Sequence, residues 1–207
     1  MIDWLVKIFI RDPERWEDPE VRQRYGLLSG LVGIVLNLLL SGGKLLAGFL
    51  SGSISITADA FNNLSDAGSS VVTLAGFRMA AKQADADHPF GHGRIEYLAG
   101  LVVAAAILLV GVELAKTSVE KIISPEAVSF SWLSAGILLA SILVKLWMSR
   151  FNRTLGRRIG SAAMEATAAD SLSDAAATSA VLLGTLVFPF TGFNIDGWMG
   201  LLVAVFI

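Results

Sequence analysis

Apolar residues fall into six segments along the chain, each close to the length that a helix needs to cross a bilayer. About 20 apolar residues in an α-helix span the hydrocarbon core. The segments run approximately over residues 27–50, 54–80, 95–118, 131–151, 160–187 and from residue 194 onward. The pattern predicts an all-α polytopic membrane protein that folds as a bundle of six transmembrane helices.

The boundaries between segments carry helix-breaking residues. Ser51-Gly52-Ser53 predicts a tight turn between the first two segments, and Ser124-Pro125 predicts a break after the third. The last segment, from Asn194 to Ile207, would rise only about 21 Å as a helix, against about 30 Å of hydrocarbon. We therefore expect the sequence to stop inside its sixth helix, with a further domain missing.

The N-terminal residues 1–24 differ from the rest in composition. Trp4, Phe9 and Trp16 lie among mixed charges there, without the apolar core and cleavage site of a signal peptide. This composition is typical of an amphipathic segment on a membrane surface. Residues 25–207 are then the transmembrane domain.

Basic residues concentrate at alternate ends of the segments. Those before the first segment, between the second and third, and between the fourth and fifth are Lys7, Arg11, Arg15, Arg22, Arg24, Arg78, Lys82, Arg94, Arg150, Arg153, Arg157 and Arg158. Only Lys116 and Lys121 fall on the other side. Because cytoplasmic loops carry an excess of Lys and Arg, we expect a multi-pass cell-membrane protein with a cytoplasmic N-terminus.

Two near copies of one polar motif interrupt the second and fifth segments. They read NNLSD, from Asn62 to Asp66, and DSLSD, from Asp170 to Asp174. Residues four apart lie on one face of a helix, so each motif presents two oxygen-bearing side chains together. Carboxylates at membrane depth are costly, and they indicate an ion or proton pathway. Two such pairs facing each other would form a four-oxygen cage for a divalent cation.

The likeness extends beyond the acids. When Asp66 is aligned with Asp174, several small residues around the two motifs also coincide, although the two segments are expected to cross the membrane in opposite directions. This predicts an inverted repeat of three plus three helices, with the substrate site near the midplane. Chance similarity stays open, because small residues are frequent in membrane helices.

Composition narrows the possible functions. The 207 residues are 54% hydrophobic, carry a formal net charge of -2 and include no cysteine, which is unlike a soluble domain and offers no thiolate site. The net charge indicates no nucleic-acid partner. A nucleophile elbow, a glycine-rich phosphate loop and an HExxH motif are all missing from the sequence, so we expect no enzyme. Without an ATP-binding segment, pumping must use an ion gradient.

Three features together resemble the cation diffusion facilitator family of divalent-metal/proton antiporters. They are Ala58-Asp59-Ala60 leading into the first motif, the stretch DHPFGHGRIE at residues 87–96, and the DxxxD of the second motif. The resemblance runs from about Arg24 to the end. It implies six transmembrane helices, a homodimer in the lipid bilayer, and a cytoplasmic ferredoxin-like domain after the sixth helix that this sequence lacks.

By motif position, the resemblance implies a transport site made of Asn62, Asp66, Asp170 and Asp174. Zinc-type members commonly have a histidine in one of the pairs, and neither pair has one here. Three carboxylates and one amide oxygen suit Mn²⁺, followed by Fe²⁺, and the pattern resembles the manganese-exporting branch. Zn²⁺ stays open because the general affinity order runs against manganese.

Proton coupling follows from the same residues. Three crowded carboxylates repel one another, so at least one proton is expected when the metal is absent, and metal binding requires deprotonated ligands. We expect metal export by alternating access, with the divalent metal as substrate and no cofactor. A passive divalent channel, or a scaffold or sensor whose acids are structural, remain as alternatives.

Further polar residues lead to weaker hypotheses. By the resemblance, Asp85, His88 and His92 form a second cytoplasmic metal site, although a structural loop would also account for them. Asp59, on nearly the same helix face as Asp66, is either an exit-path or proton-relay acid or a solvated residue near the helix start.

Three charged residues lie inside apolar segments. They are Lys44, Glu113 and Lys145. Lys44 and Glu113 are expected either to pair or, for Lys44, to extend to the interface. We interpret all three as structural. Asp196 is expected to be a helix N-terminal acid rather than a ligand.

Overall fold

The computed structural model describes residues 2–10, 12–15, 17–80, 93–124, 131–191 and 195–206. Within these ranges the chain forms helices and no strands, which confirms the all-α prediction. The helices are α1 (Ile2–Phe9), α2 (Pro19–Ser51), α3 (Ile54–Ala80), α4 (Gly93–Ile123), α5 (Trp132–Ile159), α6 (Ala162–Thr191) and α7 (Asp196–Phe206).

Helices α2 to α7 correspond in order to the six predicted segments. The bounds of α3 agree with the prediction, whereas α2 begins at Pro19 and α5 continues to Ile159. Hydropathy marks only the apolar part of a helix, and both helices continue through charged turns outside it. Proline suits the first turn of α2 because its missing N–H would be unpaired there anyway.

Two helices in the described part of the chain are long and apolar enough to cross a membrane by length and composition. They cover Val21–Ser51 and Trp132–Ile159. Helices α3 and α6 are continuous but contain the polar motifs around Asp66 and Asp174. These motifs were the main feature of the sequence.

The hairpin between α2 and α3 recurs between α5 and α6. Gly52 and Gly160 both adopt a left-handed backbone, with φ of 67° and 60°. The next residue donates a backbone hydrogen bond to a glycine carbonyl in both cases, from Ser53 to Gly48 at 3.1 Å and from Ser161 to Gly156 at 2.8 Å. Gly52 and Gly160 are separated along the chain by the same number of residues as Asp66 and Asp174. The repeated geometry therefore supports the predicted three-plus-three repeat.

Serine caps the second helix of each hairpin in the same way. The Ser53 hydroxyl accepts a hydrogen bond from the Ile56 N–H at 3.2 Å, and the Ser161 hydroxyl accepts one from Met164 at 3.4 Å. Such caps satisfy N–H groups that have no partner inside the helix. The two hairpins thus start α3 and α6 in the same local geometry.

Asp196 joins α7 to the start of α3. Its carboxylate accepts hydrogen bonds from the backbone N–H groups of Ile54 at 2.9 Å and Ser55 at 3.3 Å, and Lys121 lies 3.7 Å away. Asp196 also begins α7, as expected of a helix N-terminal acid. Asp196 also caps the N-terminus of α3, where a negative charge is favourable.

The N-terminal helix packs onto one end of the bundle. Val6 and Ile10 are buried in a cluster with Tyr25, Phe151 and Leu155. Arg158 also forms an ion pair with Asp3, and its hydrogen bond holds the pKa of the Asp3 carboxyl below its usual range. The position of this segment at a membrane surface stays a prediction.

A second cluster lies between the motif helices and their neighbours. Its buried members include Ala47 of α2, Ile56 and Ala58 of α3, Leu138 of α5 and Val181 of α6. Alanine at several of these positions lets the helix backbones approach closely. This packing positions the inward faces of α3, α5 and α6 against one another.

Candidate metal centre

Three carboxylates from α3 and α6 converge at one point. Asp66, Asp170 and Asp174 each offer one oxygen, and these oxygens lie within 4.8 Å of one another. Asp170 and Asp174 are one helical turn apart on α6, so they share a face. We call this group, together with Asn62, the acidic cage. The structure thus brings together the four residues of the predicted transport site.

Asn62 contacts the cage through its amide nitrogen. Asn62 Nδ2 donates a hydrogen bond to Asp174 Oδ1 at 2.9 Å, which connects α3 to α6. The amide oxygen of the same side chain is the atom that can bind a metal. Asn62 therefore contacts Asp174 directly, and its role as a further metal ligand stays a prediction.

Lys145 of α5 enters the cage, and the sequence did not predict this. Lys145 Nζ lies 2.9 Å from Asp66 Oδ2 and also forms an ion pair with Asp174 Oδ2. Its side chain is only 1% exposed. The signal that was missed is Lys145 itself, an isolated cation within an apolar helix. Such a cation needs a carboxylate partner, and the two polar motifs contain carboxylates.

Exposure differs among the three cage acids. Asp174 is buried, Asp66 is half-buried and Asp170 is exposed. The Asp170 carboxylate has no hydrogen-bond or ion-pair partner among the described residues, whereas the Asp66 and Asp174 carboxylates are both held by Lys145. The Asp170 side is therefore the open edge of the cage.

A second buried ion pair lies beside the cage. Lys44 Nζ is 2.8 Å from Asp59 Oδ2 and donates to Thr178 Oγ1 at 2.9 Å. Thr178 in turn donates to Asp59 Oδ2 at 2.8 Å. Since Thr178 is one helical turn beyond Asp174, this triad adjoins the cage along α6.

This geometry corrects three expectations from the sequence. Lys44 pairs with Asp59 and not with Glu113, which is exposed on α4. Lys44 also does not extend to an interface, because its side chain is fully buried. Asp59 is likewise buried rather than solvated at the helix start, and its Oδ1 has no hydrogen-bond partner among the described residues. An exit-path role for Asp59 stays a prediction.

The proposed second metal site lies outside the described residues. Asp85, His88 and His92 fall between α3 and α4, in residues 81–92. Their convergence on a metal remains a hypothesis from the sequence.

Comparison with known proteins identifies the family of the chain. A family model described as the cation efflux transmembrane domain matches residues 30–207. The chain belongs to this cation efflux family, which confirms the resemblance found in its motifs. Membership makes it a membrane protein, as the description of the family's transmembrane domain states.

Similar curated proteins include an uncharacterized transporter, MJ0449, of Methanocaldococcus jannaschii. It is 33% identical over 177 residues, covering 86% of this chain and 62% of the relative. Manganese efflux system protein MneS of Bacillus subtilis is 33% identical, covering 80% and 57%. Manganese efflux system protein MneP of the same organism is 29% identical, covering 88% and 61%. The chain thus spans about three fifths of these relatives' length.

Proposed function

We propose that this chain is the membrane domain of a divalent-metal/proton antiporter that exports metal, with Mn²⁺ as the preferred ion. The observation that carries this proposal is the convergence of the Asp66, Asp170 and Asp174 oxygens to within 4.8 Å of one another. Carboxylates inside a membrane domain are expensive and mark ion pathways. Membership in a cation efflux family is consistent with a role of these carboxylates in binding a transported cation.

Ligand chemistry supports manganese over zinc. Carboxylate and carbonyl oxygens suit Mn²⁺, whereas imidazole suits Zn²⁺, and the cage contains no histidine. Two relatives are named as manganese efflux proteins. Fe²⁺ or Zn²⁺ export by the same route is the alternative if the softer ions bind in spite of the ligand set.

Proton coupling is supported by the number of carboxylates. The ligands bind metal only when deprotonated, so metal and protons compete for the same oxygens. The cage would take metal and release protons on the cytoplasmic side, then take protons and release metal on the outer side. The proton gradient would thereby drive export.

The repeated hairpins support alternating access around this centre. Three helices in each repeat would make the second repeat inverted if every helix crosses the bilayer, and such repeats commonly rock against each other around a midplane site. The proposal includes six crossings, a cytoplasmic segment at residues 1–24, a transmembrane domain at residues 25–207, and a homodimer.

Transport by reconstituted protein tests this function. Proteoliposomes with an imposed pH gradient should take up Mn²⁺, and Asp66→Asn or Asp174→Asn should reduce the initial rate at least about tenfold, because each removes a charged ligand. Glu113→Gln is the matched control, since it neutralises an exposed acid on α4. Mn²⁺ flux that persists in both Asp variants would contradict the assignment, and flux that ignores the pH gradient would indicate a passive channel.

A further inference from the structure

We infer that the Lys145 ammonium is an internal cation that occupies the acidic cage in place of the metal, and that an arriving divalent ion must displace it. This inference rests on the proposed function, because it assumes that the cage binds the transported ion. It assigns to Lys145 a direct part in determining the affinity for the metal.

The positions of the atoms carry the first step. Lys145 Nζ binds Asp66 Oδ2 at 2.9 Å and also binds Asp174 Oδ2. A metal ion held by those two oxygens would lie about 2.0–2.2 Å from each. It would then overlap an ammonium nitrogen that is held by the same two atoms, so the two cations cannot share this position.

The surroundings of Lys145 carry the second step. A buried ammonium requires a compensating charge, and the only ion-pair partners of Lys145 among the described residues are the two cage acids. Lys44 provides the contrast within the same chain, because it is equally buried but pairs with Asp59 outside the cage. A lysine with a purely structural role needs no carboxylate from the metal site.

Charge balance carries the third step. Without metal, three ionised carboxylates would place three negative charges together in a membrane interior, so protons and a nearby cation must compensate them. Lys145 offsets one of them when the metal leaves. Lys145 and the incoming protons together let the cage release metal without leaving its full negative charge uncompensated.

Competition has a measurable consequence for affinity. The apparent affinity of a ligand is its intrinsic affinity multiplied by the fraction of protein whose site is free. An ammonium that occupies the cage therefore reduces the apparent affinity for metal. A transporter benefits because an ion that binds too tightly cannot leave. Removal of the ammonium should therefore give tighter binding and slower turnover together.

Mn²⁺ binding to purified protein, measured by calorimetry in detergent, tests the inference apart from transport. Lys145→Met should lower the Kd at least about tenfold, equivalent to about 1.4 kcal/mol. Lys145→Gln gives a second neutral variant in case Lys145→Met does not fold. Lys145→Arg retains the charge and should bind Mn²⁺ no more tightly than the wild type.

The matched control is Lys44→Met, which removes the other buried lysine. Because Lys44 forms no ion pair with Asp66 or Asp174 in the structure, its loss should change the Kd by less than about threefold. In proteoliposomes the neutral Lys145 variants should show a lower KM and a lower maximal rate. A structural role predicts weaker binding in those variants instead.

Two results separate this inference from the proposed function. If Asp66→Asn and Asp174→Asn abolish Mn²⁺ binding but the neutral Lys145 variants bind no more tightly than the wild type, only the Lys145 inference is overturned. If the Asp variants bind Mn²⁺ as well as the wild type, the cage is not the metal site and both are overturned. Tighter Mn²⁺ binding by Lys145→Arg would also contradict the inference, because this variant keeps a cation that the metal must displace.

Discussion

At the scale of single residues, we expect ion choice to depend most on Asn62, the member of the proposed ligand set that is not a carboxylate. Its amide lies at the edge of the cage, where Nδ2 donates to Asp174 at 2.9 Å. A side chain at this position can change the type of ligand without removing any of the three acids.

Asn62→His should therefore shift the preference from Mn²⁺ toward Zn²⁺, because imidazole is a better ligand for Zn²⁺. We expect the ratio of Zn²⁺ to Mn²⁺ uptake rates in proteoliposomes to rise at least about tenfold, a change of about 1.4 kcal/mol. Asn62→Asp is the control, since it keeps an oxygen ligand and should retain the Mn²⁺ preference. An unchanged ratio in Asn62→His would show that ion choice is made elsewhere.

Residue spacing predicted the acids but not their cationic partner. Residues four apart share a helix face wherever the helix lies, so Asp170 and Asp174 were predictable as a pair. Lys145 contacts Asp66, 79 residues away, and Asp174, 29 residues away. Those contacts depend on how α5 packs against α3 and α6, which no local pattern encodes. The incorrect pairing of Lys44 with Glu113 has the same cause.

At the scale of elements, the two hairpins depend on glycines where neighbouring helices approach each other. A Cβ on Gly48 would overlap Thr57 Oγ1 and would lie 3.1 Å from the Thr57 backbone nitrogen. On Gly156, in the repeated hairpin, it would lie 3.0 Å from Met164 Cβ and 3.3 Å from the Glu165 nitrogen. In both hairpins the glycine faces the first turns of the helix that follows, α3 or α6. The two hairpins therefore share this close helix packing.

Gly48→Ala should destabilise the protein, because the backbone of α3 must shift to admit the methyl group. Overpacking typically costs about 1–3 kcal/mol, which exceeds the roughly 1 kcal/mol that alanine gains over glycine in a helix. Thermal unfolding in detergent should show a lower midpoint. Gly42→Ala on the same helix is the control, since its Cβ would meet nothing within 4 Å. A midpoint for Gly48→Ala at or above that of Gly42→Ala would contradict the close packing.

Hydropathy predicted the helices better than their ends. The segment at residues 54–80 coincides with α3 because a glycine turn and a serine cap begin it. Polar turns extend α2 to Pro19 and α5 to Ile159, and apolar content gives no signal there. The end of α5 was visible only in Gly160, whose left-handed backbone terminates the helix.

At the scale of the whole molecule, the repeat and the cage belong to one arrangement. The α2–α3 hairpin and the α5–α6 hairpin each carry one of the polar motifs, and the two motifs meet at the Asp66 and Asp174 carboxylates. A site shared between repeats can change its access when one repeat moves relative to the other. Lys145 adds a cation from α5 to the same point, so motion of α5 and binding of metal are coupled in this account.

The central claim is that the acidic cage binds the exported ion, and anomalous diffraction from crystals grown with Mn²⁺ tests it most directly. The account predicts an anomalous peak between the carboxylates of Asp66, Asp170 and Asp174, lost in Asp174→Asn crystals. Peaks found only elsewhere, with the cage lacking anomalous density at saturating Mn²⁺, would contradict it.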